Sequence, residues 1–291
     1  MCLLIVASAM VSATAVQERP FFRSTAHLVQ IDVSVRQQGR SISDLELVDF
    51  GLTDNGVAQS INRVSYDRSP LDILLVADCS PSMVRSGEGW LARGIREIES
   101  LKMLDDQVRI LPFSASASLT QSDASLKCGI GHALGTALFD AAVAATLLPT
   151  DHRKRLVVIL TDGANTTSLL PASARSQIVD RSNALVYAIA LTPERPARWT
   201  GTFMWTPSSY RADRDWELRE FAQRAGGDLL TVPPEQDFVS ALTAAVEDAR
   251  HRYVLQYVPE GVQSGGWHDV KVTVKRHSRA EVRAKRGYWR E

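Results

Sequence analysis

Five oxygen-bearing side chains stand out in this 291-residue sequence by their type and spacing. Three lie in one run, Asp78-Cys79-Ser80-Pro81-Ser82, where every second residue carries an oxygen. In an extended loop that spacing aims Asp78, Ser80 and Ser82 at a single point. The fourth is Thr136, within Gly135-Thr136-Ala137-Leu138, and the fifth is Asp162, within Leu160-Thr161-Asp162-Gly163. Hard oxygen donors in an incomplete set suit Mg2+, which prefers ~6 oxygen ligands at ~2.0–2.1 Å and keeps some of its waters. Mn2+ or Ca2+ would accept the same kind of donor. Two carboxylates balance the charge of a divalent ion and no more. The ion would therefore remain an acceptor for a further carboxylate, such as an Asp or Glu of a partner protein. This chemistry is binding, and it needs no catalytic base.

The elements that must position these residues can be read from apolar patterning. Ile73-Leu74-Leu75-Val76-Ala77 is a continuous apolar run that ends in Asp78, and Leu156-Val157-Val158-Ile159-Leu160 leads in the same way to Asp162. Val108 to Phe113 and Ala184 to Ala190 are similar runs. Runs of this kind suit parallel strands buried on both faces. Helical spacing separates them at Leu91, Ile95, Ile98 and Leu101, at Leu134, Leu138, Ala141, Ala142 and Ala145, at Trp216 to Ala222, and at Phe238 to Arg250. Strand–helix alternation implies an α/β fold with a doubly wound, mostly parallel sheet. In such sheets ligands bind at the carboxyl ends of the strands, beside a topological switch point.

Both flanks carry β patterning instead. His27 to Val35 alternates apolar and polar residues. Leu45 to Phe50 reads as a strand leading to an Asp54-Asn55-Gly56 turn, and Ile61 to Val64 resumes the alternation. Tyr253 to Val258, then Val270, Val272 and Val274, then Ala280, Val282 and Ala284 repeat the pattern at the other end. The expected organisation is an N-terminal β segment over 20–68, the α/β domain over 69–250, and a C-terminal β segment over 251–291 that packs with the N-terminal one. The stretch from Pro193 to Arg214 has no clear period and reads as a long loop, either a contact surface or an insertion folded onto its own domain.

Asp-x-Ser-x-Ser, a later Thr before a helix and Thr-Asp-Gly after a strand together resemble the metal-ion-dependent adhesion site of von Willebrand factor type A and integrin inserted domains. The resemblance covers about Ser69 to Arg250. It implies that Ser80, Ser82 and Thr136 contact the metal, with Asp78 and Asp162 bound directly or through water. The Asp54-Asn55-Gly56 turn and Gly287-Tyr288 resemble features of bacterial secreted type A-related proteins. In the family, displacement of the last helix changes metal coordination. Here that helix is Phe238 to Arg250, which runs straight into the C-terminal β segment.

Other chemistries fit less well. Phosphoryl transfer from an aspartyl nucleophile suits an Asp at a strand end, but the second Asp such hydrolases need two residues on is Ser80 here. No Gly-x-Ser-x-Gly elbow, His-Glu-x-x-His or phosphate-binding glycine loop is present, and the six histidines have no metal spacing. The chain is read as a non-enzymatic binding module. A structural or assembly protein with an inessential metal site is the main alternative.

The charge balance is even, 33 basic against 33 acidic residues, and no nucleic-acid-binding pattern occurs. From Arg250 to Glu291, however, 10 basic residues face 4 acidic ones. That excess reads as solvated strand faces or as a contact for an anionic surface. Residues 1–15 read as an export signal, with an apolar Met1–Met10 and a small-x-small Ala13-Thr14-Ala15. The apolar run is too short to span a bilayer, which needs ~20 residues. Cys2 would leave with the signal. Cys79 and Cys128 are expected as two free, partly buried thiols, with a disulfide as the alternative in an oxidising compartment.

Overall fold

The computed structural model describes residues 28–85, 89–117, 120–121, 128, 135–191, 207–233 and 237–290. The expected signal (1–15) and residues 193–206 of the expected loop lie outside them. The N-terminal segment forms β1 (Val29–Gln37), β2 (Arg40–Ser41), β3 (Phe50–Asp54), β4 (Val57–Gln59) and β5 (Ile61–Tyr66). The central segment follows with β6 (Leu71–Asp78), α1 (Pro81–Arg85), α2 (Trp90–Leu101), β7 (Gln107–Phe113), β8 (Thr120–Gln121), α3 (Leu138–Leu147) and β9 (Lys154–Thr161). It continues with α4 (Ala172–Arg181), β10 (Leu185–Leu191), α5 (Pro207–Arg224), β11 (Leu229–Val232) and α6 (Val239–Arg250). The C-terminal segment adds β12 (Arg252–Tyr257), β13 (Gly266–Val274), β14 (Glu281–Ala284) and β15 (Gly287–Arg290).

The central strands make one sheet in the order β11-β10-β9-β6-β7-β8, parallel except for the short edge strand β8. Successive side chains point to opposite faces and both faces are covered, which explains the continuous apolar runs in the middle of these strands. In β6, Leu74 and Val76 enter a core shared with α3 and α5, while Ile73, Leu75 and Ala77 enter a second core shared with α2 and α6. The chain leaves β6 for β7 on one side and returns to β9 on the other. The switch point therefore lies between β6 and β9, the two strands that lead to Asp78 and Asp162.

Strands from the two chain ends pair with each other. β1 lies antiparallel to β12 and β14, β12 pairs with β5, and β13 bridges β3 and β15. Two antiparallel sheets result, and they share a core that includes Ile31, Val33, Val35, Phe50, Leu52, Tyr253, Leu255 and Tyr257. The α/β segment is thus inserted within a β unit built from both termini. The Asp54-Asn55-Gly56 turn joins β3 to β4, with Asn55 at φ 47°, as such a hairpin requires.

Two expectations need correction here. Leu45 to Phe50 is not one strand, because Leu47–Asp49 forms a 3-10 turn and β3 starts only at Phe50. The Asp49 carboxylate accepts the Glu46 N–H at 2.8 Å, a local side-chain bond that competes with strand pairing. The aperiodic loop also ends sooner than its sequence implies, since 207–214 belong to α5, which opens with Pro207 as a first-turn proline.

Candidate metal centre

The run Asp78-Cys79-Ser80-Pro81-Ser82 leaves β6 and turns at once into α1. Pro81 takes the first position of that helix, where its missing N–H costs nothing. The proline thus ends the loop. Ser80 N–H donates to Asp78 Oδ1 at 2.9 Å, and the hydroxyls of Ser80 and Ser82 lie 3.1 Å apart. Asp78 and Ser80 are buried, and Ser82 is half-buried.

Across the switch point, Thr161 closes β9. Its hydroxyl donates to Asp78 Oδ2 at 2.6 Å and accepts the Gly163 N–H at 2.9 Å. The next residue, Asp162, is buried and close enough to raise the pKa of Asp78 by repulsion. Gly163 sits at φ 82°, the left-handed conformation that lets the chain turn sharply beneath Asp162.

Thr136 is placed by backbone bonds to the segment that follows Asp162. Its N–H donates to Thr166 Oγ1 at 2.8 Å, and its carbonyl accepts the N–H groups of Thr166 and Thr167 at 2.9 and 3.2 Å. A side chain on Gly135 would put its Cβ 2.4 Å from Thr167 Cγ2, so this approach needs glycine. Further along, Ser168 Oγ accepts the Phe139 N–H at 3.0 Å, and Asp140 accepts the N–H groups of Leu169 and Leu170 at 2.7 and 3.1 Å. The start of α3 and the loop after β9 are thereby stapled together. The Ala137 N–H bonds Ser114 O at the end of β7.

The structure therefore brings Asp78, Ser80 and Ser82 into one turn, sets Asp162 beside Asp78, and fixes the Thr136 backbone to the loop that follows Asp162. Sequence reading passed over Thr161 and the stapling residues Thr166, Ser168 and Asp140. Thr161 was in view inside Thr-Asp-Gly. The others are ordinary polar loop residues, and only the tertiary contact gives them a role.

Electrostatics set Asp78 apart. Burial is the main cause that pushes its carboxyl up, to about 6; the Thr161 and Ser80 hydrogen bonds pull it down and Asp162 adds to the rise. Among the described residues, its partners are a hydroxyl and an amide, with no arginine or lysine. A buried carboxylate beside a second one, without a cation, is energetically costly. No group of three or more His, Cys, Asp or Glu residues comes together among the described residues. The donors are thus hydroxyl and carboxylate oxygens, the set of a hard divalent cation rather than a thiolate or imidazole metal. The residues present fit such an ion.

The expectation of free thiols is overturned. Cys79 and Cys128 form a disulfide, with their Cα atoms 5.1 Å apart. Separation in sequence hid a proximity that only the packing of the two loops creates. The basic excess of the C-terminal segment also looks different in three dimensions. Arg250, Arg252, Arg276, Arg283 and Arg286 each pair with a carboxylate of this chain.

The doubly wound sheet, with Asp-x-Ser-x-Ser at the end of one switch-point strand, Thr-Asp-Gly at the end of its neighbour and a threonine before α3, has the arrangement that the resemblance to von Willebrand factor type A domains implies. No family model matches the chain, and no curated protein matches its sequence. Among solved structures it is similar to an aerotolerance-related membrane protein from Bacteroides fragilis NCTC 9343 carrying multiple mutations to serines. That likeness has 20% identity, covers 61% of this chain and 98% of that one, and has a TM-score of 0.45. It is similar to proximal thread matrix protein 1 of the mussel byssus, solved with a zinc-occupied MIDAS motif (17% identity, 67% of this chain, 49% of that one, TM-score 0.46). A third likeness is to a von Willebrand factor type A protein from Catenulispora acidiphila (15% identity, 84% and 74%, TM-score 0.42). No helix among the described residues is long and apolar enough to cross a membrane.

Proposed function

We propose that this chain is a divalent-metal-dependent protein-binding module of an exported protein. Mg2+, or Mn2+ or Ca2+ in its place, would be held by Asp78, Ser80, Ser82, Thr136 and Asp162. An Asp or Glu of a partner protein would complete its shell. The bound ion supplies an electrophilic point for that carboxylate, and the protein supplies a rigid rim around it. The observation that carries this reading is the buried Asp78, next to Asp162 and without a basic partner among the described residues. Within this reading the site binds and does not catalyse. Export is supported by the apolar Met1–Met10 with the small-x-small Ala13-Thr14-Ala15 and by the Cys79–Cys128 disulfide, since such bonds persist in oxidising compartments.

The test is calorimetric titration of Mg2+ and Mn2+ into metal-free protein, with Asp78→Ala and Ser80→Ala beside the wild type. Saturable binding in the wild type, lost in both variants, is expected. The partner is then sought with and without chelator, and chelation should abolish capture. A folded wild-type chain that binds neither ion, alone or with an acidic peptide present, would refute the reading.

A further inference from the structure

The loop that carries three of the five donors also carries half of a disulfide. Cys79 lies between Asp78 and Ser80, and its bond to Cys128 closes 49 residues of chain. Cys128 belongs to the connection between β8 and α3, the same connection that ends in Gly135-Thr136. One covalent bond therefore ties the first donor-bearing loop to the segment that leads to Thr136. The third, after β9, joins Thr136 by hydrogen bonds. The backbone of Cys79 is also held, its N–H donating to Phe113 O at 2.7 Å. Both sulfur-bearing residues pack against the core on the α2 and α6 side, yet both are only half-buried.

A site built from loops binds well only when those loops are already in place, because any ordering needed on binding subtracts from affinity. Opening the bond returns chain freedom to Cys79, the residue between two donors. We propose that Cys79–Cys128 is a redox lock on the metal centre. Oxidised, it holds the Asp78–Ser82 loop in place. Reduced, it releases that loop and weakens metal binding. The reductant is a dithiol: its two S–H groups become a disulfide, two electrons and two protons pass to the protein, the Cys79–Cys128 bond breaks and two thiols remain. Linkage makes the effect mutual, so that bound metal must make the disulfide harder to reduce by the same factor by which reduction weakens metal binding. The lock rests on the metal-binding reading above.

The experiment uses the full chain and Mg2+, whose preference for oxygen keeps it off the freed thiols. Mg2+ is titrated calorimetrically into oxidised protein and into protein reduced with dithiothreitol and exchanged anaerobically, with thiol counting to verify each state. The reduced form should bind about tenfold more weakly, within the usual range of coupling between sites. The Cys79→Ala/Cys128→Ala double variant should match the reduced form and ignore dithiothreitol. A second measurement does not depend on the reduced chain staying well folded. The ratio of reduced to oxidised dithiothreitol that half-opens the bond should rise about tenfold with saturating Mg2+. Equal Mg2+ affinity in both redox states, or an unmoved half-opening ratio, overturns the lock and leaves the metal centre standing. Absence of Mg2+ binding in both states removes the metal centre and the lock together.

Discussion

Buried carboxylates at the two ends of the sheet are treated in opposite ways. Near the amino ends of the strands, Asp72 is fully buried between Arg109 and Arg155, with Nη2 to Oδ2 distances of 2.7 and 2.6 Å. Asp106 meets Arg250 at 2.5 Å. At the end of α6, Asp248 accepts Arg252 Nη1 at 2.9 Å, Ser34 Oγ at 2.5 Å, Arg36 Nη1 at 3.2 Å and the Tyr187 hydroxyl. Burial pushes the Asp248 carboxyl up, but Arg252 and the hydrogen bonds outweigh it and hold the group below its ordinary value. At the carboxyl ends of the same strands, Asp78 is as deeply buried but has only hydroxyl and amide partners among the described residues, and its carboxyl goes up. Where charge serves the architecture, the chain supplies its own cation. At the switch point Asp78 has no such cation among the described residues, which is the basis of the proposal that an external ion is held there.

The Asp248 network also joins the two parts of the molecule. Ser34 and Arg36 come from β1, Tyr187 from β10, and Arg252 from the first residue of β12. Lys154, at the start of β9, bonds Asp32 at 2.6 Å and Asp67 at 2.8 Å. The base of the α/β domain is therefore pinned to the β unit by charge pairs, while its other end remains a set of loops.

The sharpest way to break the comparison is to remove the internal cation. Arg252→Ala takes the fully buried guanidinium from Asp248 and leaves Arg36 as its one cation among the described residues, and should lower unfolding free energy by about 3 kcal/mol, read by urea denaturation. Asp78→Asn is the mirror experiment. It removes a charge that has no basic partner and keeps the shape, so metal-free stability should stay within about 1 kcal/mol of wild type or rise. Mg2+ affinity should fall at least about 100-fold, more than the loss of an outer-shell partner usually costs. If Asp78→Asn destabilises the metal-free chain as much as Arg252→Ala, the two ends of the sheet do not differ as argued.

Much of this contrast was visible in the sequence, and the reason is periodicity. Strands buried on both faces carry continuous apolar runs, so β6, β7, β9 and β10 announce themselves, and with them the loops that carry Asp78 and Asp162. The half-buried strands β1 and β13 show the other period. α4 and β11 escaped because α4 buries little beyond Val179 and β11 is only Leu229–Val232. What could not be read was pairing between distant positions. Nothing near Cys79 points to Cys128, and nothing near Asp248 points to Ser34. The basic tail reads as free charge until its arginines are seen against Asp44, Asp106, Glu220, Asp228 and Asp248.

The most specific expected effect follows pH alone. With the Asp78 carboxyl near 6 in the folded metal-free protein and at the ordinary 3.8 when unfolded, the native state binds more protons than the unfolded state between those values. Stability of the metal-free chain should therefore decline as pH rises from about 4 to about 6 and level off above. Metal binding runs the other way, since the ion needs the carboxylate and must displace the proton. Mg2+ affinity should be flat above pH 7 and fall about tenfold per pH unit below 6, with proton release detectable by calorimetry in buffers of different ionisation enthalpy. In Asp78→Asn both slopes should flatten. A wild-type affinity that holds constant from pH 7 to pH 5 would mean that Asp78 is already ionised without its cation, and the difference between the two ends of the sheet would lose its electrostatic basis.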